Sequence, residues 1–292
     1  MKETGPLLES LLKNLQGYKR TTVKNLLKFR MVSVNGKFIT QFDHPLKAGD
    51  QVSIEHDKEK AAKEALKGEL QIIYEDPDIV VINKPAGLLT IATDKVRTRT
   101  AFYKLNDYVK NNVPSAKAGI RKSLYIVHRL DQDASGLLVF ARNLESKIFL
   151  QENWGNFSKK YYAVVHGIPG EKECTIENYL AENQFLRMYS SPKAGRDSKY
   201  AITKYRVLKE DEKKALLEVA LVTGRKHQIR VHLAGIGHPI VGDDKYGGKF
   251  RENSKVRLGL HAFWLEIEHP RTHQKMKFET PLPAEFNPLL KG

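Results

Sequence analysis

The sequence predicts an α+β chain in two parts, a short basic unit of two helices and a hairpin followed by a longer strand-rich domain. Leu7, Leu8, Leu11, Leu12 and Leu15 recur at helical spacing near the start, whereas QIIYE, DIVVINK and ALLEVALV have strand character. Between them the composition changes sharply at residues 57–69, DKEKAAKEALKGE, which are charged, alanine-rich and poor in large apolar side chains. That stretch reads as a linker, giving an expected division into 1–56, a linker 57–69 and 70–292. A chain of 292 residues with 41% apolar and 9% aromatic residues suits about two folded domains.

After the leucine-rich helix, KRTTVKNLLKFR predicts a second one, with Val23, Leu26 and Leu27 on one face and Arg20, Lys24 and Lys28 on another. Like charges four apart destabilise an isolated helix by a few tenths of a kcal/mol per pair. A phosphate backbone would reverse that penalty. No acidic residue interrupts residues 19–30, so the pattern favours RNA over a merely solvated face. In VSVNGKFIT the pair Asn35-Gly36 separates two strand-like runs, a hairpin signal because both residues tolerate positive φ. HPLKAGDQVSIE adds a turn and a strand.

Beyond the linker, QIIYEDPDIVVINKPAGLL predicts two strands, broken at Asp76-Pro77 and ended by Lys84-Pro85. SKKYYAVVHG is a strand that puts Tyr161 and Tyr162 on opposite faces, one toward the core and one toward a surface or cleft. ALLEVALVTGRKHQIRVHLAGIG reads as a strand, a Thr-Gly-Arg turn and a helix. On that helix Ile229, Leu233 and Ile236 share a face and Arg230 lies near the N-terminus.

Charge narrows the function classes. Lys and Arg outnumber Asp and Glu by 49 to 34, a formal net charge of +15, which points to a polyanionic partner and to nucleic acid first. The start lacks a signal-peptide pattern and no run is long enough to cross a bilayer, so a soluble cytoplasmic protein is expected. Cys174 is the only cysteine, which excludes an internal disulfide and a cysteine-based zinc site. His227 and His232 are five apart, on different helical faces, and no metal site is expected. P-loop and dinucleotide-binding spacings do not occur, and Ser135 is not in a G-x-S-x-G elbow.

The segment HRLDQDASGLLVFAR, residues 128–142, carries two competing patterns. From Asp131 the spacing D-x-D-x-S-G matches the first half of a calcium loop, but the twelfth position, which needs a bidentate carboxylate, is Arg142. The apolar run Leu137–Phe140 also reads as a strand, and calcium is excluded on both counts. What remains is Asp131 with arginines close by. An arginine beside a carboxylate favours the ionised form, which suits a nucleophile better than a general acid. From local sequence alone a purely structural Arg–Asp ion pair is at least an equal reading.

RTTVKNLLKFRMVSVNGKFITQFDHPLKAGDQVSI resembles the S4-type RNA-binding module and covers most of residues 7–55. HRLDQDASGLLVFAR is similar to the signature around the catalytic aspartate of the RluA family of pseudouridine synthases. YEDPDIVVINKPAGLLT, KKYYAVVHG, VTGRKHQIRVHLAGIGHPIVGDDKYG and LHAFWLEIEHP resemble that family's segments in the same order, together spanning nearly all of 70–285. The resemblance implies a mixed, largely antiparallel sheet with a central active-site cleft. It implies an enzyme that isomerises specific uridines in structured RNA, large-subunit ribosomal RNA foremost and transfer RNA as the other option, without a cofactor.

Asp131 would then be the catalytic residue, attacking ribose C1′, helping to abstract a proton there, or adding to uracil C6; the sequence leaves these routes open. The target base must be flipped out of its stack. By resemblance Tyr161 stacks on that base, Arg230 pairs with Asp131, Arg129 assists extrusion, and His128 is a weaker supporting contact. Arg20, Lys24 and Lys28 are the expected RNA contacts of the first unit, and a monomer is expected. Family members usually carry threonine where this chain has Ala134 and Lys226, which touches local turn bonding and RNA contacts but no reacting group. Two other readings are a ribosome-associated RNA binder without catalysis, which has no use for Asp131 with Arg230 and Tyr161, and a retaining glycoside hydrolase. The hydrolase needs a second carboxylate about 5 Å away, for which Asp133 is the nearby option.

Overall fold

The structure is a computed structural model that describes residues 5–15, 18, 20–28, 31–54, 70–112, 123–250 and 256–290; the expected linker 57–69 lies outside the described residues. The chain forms two compact units, Met1–Ile72 with Lys104–Ser123, and Ile73–Tyr103 with Leu124–Gly292.

In the first unit, β1 (Gly5–Pro6) leads into α1 (Leu7–Asn14), followed by α2 (Arg20–Lys28), β2 (Val32–Val34), β3 (Lys37–Phe38), β4 (Pro45–Leu46) and β5 (Val52–Ile54). Pro6 precedes the first turn of α1, and the open N–H groups of Leu7 and Leu8 donate to the carbonyls of His44 and Phe42 at 2.9 and 3.0 Å. The predicted apolar faces meet, with Leu7, Leu11, Val23 and Leu27 buried beside Val32 of the three-stranded sheet β3-β2-β5. Asn35 (φ 49°) and Gly36 (φ 76°) both take positive φ, as the hairpin signal requires. The Asn35 side chain also ties this turn to Asp50 and to the Gln51 N–H. Arg20, Lys24 and Lys28 are exposed. Arg20 bonds Glu9 of α1 at 3.0 Å, an acidic partner that the run 19–30 does not reveal, and the Lys24 ammonium lies 5.7 Å from the Phe42 ring.

Helix α3 (Ala101–Asn112) spans a boundary between the units. The large sheet is built from β6 (Gln71–Glu75), β7 (Ile79–Lys84), β8 (Tyr125–Ile126), β9 (Ser135–Ala141), β10 (Ser158–His166), β11 (Glu173–Glu182), β12 (Met188–Ser191), β13 (Lys199–Asp211), β14 (Lys214–Leu221), β15 (Leu260–Glu268) and β16 (Lys275–Glu279), all but the first two residues of β6 lying in the second unit. Helices α4 (Leu144–Asn153), α5 (Gln228–Gly235) and α6 (Asn287–Leu290) accompany them. The strands form one mixed sheet in the order β12-β11-β13-β14-β10-β15-β9-β7-β6, with β16 beside β15 and β8 beside β9. Pairing is mainly antiparallel, as expected, while β15 and β9 run parallel with His261 opposite Ser135 and Ala262 opposite Gly136.

Strand β9 is buried along its whole length between β7 and β15, which is why its sequence is a continuous apolar run without alternation. Gly136 opens that strand at φ 115°, and a Cβ there would lie 2.2 Å from the Ala262 carbonyl oxygen. The glycine of the D-x-D-x-S-G spacing thus serves the parallel junction. Arg142, the residue that excludes calcium, is buried and bonds Glu75 at 2.7 Å. Tyr161 and Tyr162 do separate. Tyr161 packs toward Ile229 and Leu260, and Tyr162 stacks on Phe263 at 3.8 Å between centroids. Ile229 and Leu233 are buried, but Ile236 is 39% exposed because α5 ends at Gly235 and Ile236 caps it.

Candidate active site

Asp131 lies on the short segment between β8 and β9, and both of its neighbours are pinned. The Thr90 hydroxyl donates to the Leu130 carbonyl at 2.8 Å. Lys84, at the end of β7, sends its fully buried ammonium to the carbonyls of Gln132, Pro85 and Leu88 at 3.0, 2.9 and 2.7 Å. Burial pushes Lys84 down to about 7, against the pull of Asp133 and Asp131. Its three carbonyl acceptors match the three N–H bonds of an ammonium, so the geometry favours the charged form. Lys-Pro ends the strand, as read from sequence, and the lysine also ties the following turn to the aspartate's loop. Ser135 bonds His261 Nδ1 at 2.7 Å, and His261 Nε2 bonds the Thr280 hydroxyl at 2.9 Å, fastening the other end of the loop to β15. Arg257 donates to the same serine hydroxyl.

The Asp131 side chain is 26% exposed and faces two clefts of about 780 and 670 Å³. Both clefts share Arg129, Leu130, Asp131, His227 and Arg230. The first is walled by Ala86, Gly87 and residues 89–93 and by Lys245 and Arg257; the second contains Tyr161, Lys159, Trp154 and Arg225. Arg230, in the first turn of α5, donates from Nη1 to Asp131 Oδ2 at 3.0 Å across 99 residues of sequence. Its other edge meets Asp243 twice, Nε to Oδ2 and Nη2 to Oδ1, each at 2.8 Å. Burial opposes the charge of Arg230, but Asp243 and then Asp131 hold its pKa above the ordinary range. Asp243 Oδ1 also accepts the N–H groups of Lys245 and Tyr246, which fix the carboxylate independently of the arginine. The planar fork of Arg230 is thereby aimed at the aspartate by a second carboxylate behind it.

Tyr161 stands in the second cleft, its hydroxyl pushed upward in pKa by burial and then by Asp131. A ring in that setting is a neutral phenol and offers an aromatic face. Arg129 is exposed and borders both clefts. The arrangement therefore brings together Asp131, Arg129, Tyr161 and Arg230. His128 lies apart in role: its Nε2 accepts the Val139 N–H at 3.1 Å, its ring stacks on Trp154 at 4.0 Å, and burial with Lys159 nearby pushes it down to about 3. It braces β9 as a neutral ring. Asp133 is exposed beside the first cleft, Ala134 is buried in the apolar cluster around Ile229, and Lys226 pairs with Glu182 at the surface.

Residues that local sequence did not single out are Lys84, Asp243, Tyr246 and, as a neighbour of the carboxylate, His227. Each acts over a long stretch of chain or through backbone groups. GDDKYG lies within one of the resembling segments, but nothing in its spacing says that Asp243 faces Arg230.

One group could be mistaken for a metal site, Asp76 with Asp78 and His269. His269 Nδ1 accepts the N–H groups of Arg271 and Thr272, so Nε2 carries the proton and donates to Asp76 at 2.9 Å. Asp76 also receives the Tyr74 hydroxyl and two backbone N–H groups, and Asp78 receives Asn143 and Arg271. The histidine has no lone pair left for a metal, and the cluster is a hydrogen-bonded corner. Among the described residues no helix is long and apolar enough to cross a membrane.

Comparison with known proteins places the chain in a family. Residues 78–235 match the family model described as RNA pseudouridylate synthase. The chain is 34% identical over 291 residues to the ribosomal large subunit pseudouridine synthase D of Pseudomonas aeruginosa, covering 94% of this chain and 87% of that one. It is 32% identical to an uncharacterized RNA pseudouridine synthase of Mycoplasma genitalium, covering 98% and 92%. Among solved structures it is similar to human RNA pseudouridylate synthase domain containing 4, with a TM-score of 0.60 and 25% identity over 77% of this chain and 92% of that one. A family model over more than half the chain and relatives matched almost end to end lead to one conclusion: the chain belongs to the RNA pseudouridine synthases, a family of isomerases.

Proposed function

We propose that this enzyme converts specific uridines of structured RNA, with large-subunit ribosomal RNA as the target, using Asp131 as the nucleophile. The observation that carries the assignment is the carboxylate itself, partly exposed where two clefts meet and held through one oxygen by Arg230. Arg230 leaves the other oxygen to the cleft, where attack at C1′ would release uracil from its N1 bond before C5 takes the same carbon. Tyr161 is the platform for the flipped base and Arg129 the cation that helps extrude the nucleotide; flipping costs roughly a few kcal/mol, which stacking and phosphate contacts offset. Resemblance of the target is carried by the Pseudomonas relative, whose name specifies the large ribosomal subunit. Residues 1–56 serve as an S4-type RNA-binding module ahead of the catalytic part from residue 70, and the enzyme works as a cytoplasmic monomer.

The test uses total RNA from cells lacking the protein, labelled with tritium at uridine C5. Isomerisation releases that tritium to water. Asp131→Asn keeps the shape and removes the nucleophile, so it is expected to bind RNA within a few-fold of wild type and to release no tritium. Turnover by the variant above about one per cent of wild type, a barrier change of only about 2.7 kcal/mol, would move the chemistry to another residue.

A further inference from the structure

His227 is the one non-glycine residue of the site held in the left-handed backbone region, at φ 53° and ψ 21°, immediately before α5. An N-cap is ordinarily extended and uses its side chain to accept an N–H of the first turn, and His227 does neither. Its ring is committed elsewhere. Nδ1 lies 2.8 Å from the Tyr246 hydroxyl and Nε2 lies 3.8 Å from Asp131 Oδ1, the oxygen that Arg230 does not bond. Strained backbone at such a place marks a side chain whose position matters more than its capping.

The proton order follows from the partners. The Met188 N–H donates to the Tyr246 oxygen at 3.2 Å, so the hydroxyl hydrogen is available to His227 Nδ1. A neutral imidazole that accepts at Nδ1 carries its hydrogen at Nε2. The opposite tautomer would turn a lone pair toward Asp131 and leave the tyrosine hydrogen without an acceptor. Both ends of the ring therefore select the same form. The Tyr246 ring itself contacts the guanidinium groups of Arg187 and Arg230, 5.4 and 5.2 Å from its centroid.

We propose that His227, oriented by Tyr246, is a positioning residue that directs a neutral Nε2–H at Oδ1 of Asp131, setting that oxygen as the one that attacks and later leaves the ribose. This rests on Asp131 being the nucleophile. When Oδ1 bonds C1′, the C1′–N1 pair departs with uracil. When C5 takes C1′, Oδ1 leaves with its bonding pair, and the N–H is in place to receive the returning charge. The C5 proton passes to water and N1 takes one from water, so the reaction stays an isomerisation and His227 begins and ends neutral. At 3.8 Å the donor does not hold the resting oxygen, which leaves it free to attack.

The experiment compares His227→Leu, His227→Gln, His227→Gly and Asp131→Asn in the full chain, using the tritium-release assay, filter binding to the same RNA, and nitrogen-15 spectra of histidine-labelled protein. His227 is assigned in the spectra by its disappearance in the Gln variant. Leucine is expected to lower kcat about tenfold to a hundredfold, the span of a hydrogen bond to a charged group, with unchanged RNA affinity. Glutamine, whose amide can present an N–H, should recover most of that loss. Glycine suits the left-handed backbone, so His227→Gly should melt within a few degrees of wild type and still be as slow as the Leu variant. The spectra should show Nε2 protonated and Nδ1 bare. A Leu variant at the wild-type rate, a Gln variant no better than Leu, or a proton on Nδ1 would overturn the proposal while Asp131→Asn remains inactive. An active Asp131→Asn would overturn the nucleophile assignment and this inference with it.

Discussion

Asp243→Asn is the sharpest test of how the site is held together. The carboxylate is buried and accepts four donors, two from Arg230 and the N–H groups of Lys245 and Tyr246. Asparagine can keep its oxygen toward the three donors at Oδ1. Its NH2 then faces Arg230 Nε, placing donor against donor, and the guanidinium loses one of its two carboxylates. Removing one partner from a buried pair costs about 3–5 kcal/mol because the remaining charge stays desolvated. In a unit of this size each kcal/mol lowers Tm by about 2–4 °C, so a drop of roughly 6–20 °C is expected. Urea unfolding at neutral pH measures the change, through a lower midpoint at unchanged slope. Turnover should fall at least as sharply as stability suggests, because Arg230 then lacks the fork that aims it at Asp131. A variant within about 1 kcal/mol of wild type, with normal turnover, would show that Arg230 is positioned by its stacking on Tyr246 instead, and would refute the two-carboxylate account.

Other perturbations separate the remaining roles. Gly136→Ala should cost about 3 kcal/mol or more and abolish activity, because its φ of 115° and the Ala262 carbonyl both exclude a Cβ; circular dichroism melts and the tritium assay check this. Changing Arg20, Lys24 and Lys28 together to glutamine should flatten the plot of log K against log salt by roughly two units, at about 0.7 to 0.9 per phosphate contact. Turnover at saturating RNA should stay near wild type, and an unchanged slope would mean that this face is merely solvated. Burial pushes His232 and His261 each down to about 4 from an ordinary value near 6.5, so the unfolded chain takes up their protons first. Stability should therefore be fully present above about pH 6.5 and fall toward pH 4, by about 3 kcal/mol per histidine in urea titrations. Neither ring nitrogen of His232 has a hydrogen-bond partner among the described residues, so His232→Leu should raise stability at pH 7 by about 1 kcal/mol or more and remove one proton's worth of that acid dependence.

How much of this was legible in the sequence depends on how far each feature reaches along the chain. Asn35-Gly36 specified its hairpin because the requirement, two residues at positive φ, is met by those residues alone. The apolar run of β9 announced a fully buried strand, and the leucines of α1 announced a packed face, because burial follows from local periodicity. Arg142 sufficed to exclude calcium. Asp131, Arg129, Tyr161 and Arg230 were legible as a set through resemblance, since their surrounding motifs are short and contiguous.

Tertiary structure alone decided what those residues touch. The parallel junction of β9 with β15 explains Gly136, yet its partner Ala262 lies more than a hundred residues away in sequence, where no local pattern can identify it. The same holds for Lys84 reaching the Gln132 carbonyl, for Glu9 meeting Arg20 from another helix, and for Asp243 standing behind Arg230. Hydrogen bonds to backbone groups and ion pairs between separate elements leave no periodic trace, because any polar side chain at the right place can make them. Helix α5 shows both sides at once. Its apolar spacing foretold a helix with Arg230 near the N-terminus, but the left-handed His227 and its aim at Asp131 arise only when β12, the Tyr246 turn and the loop before β9 are brought together.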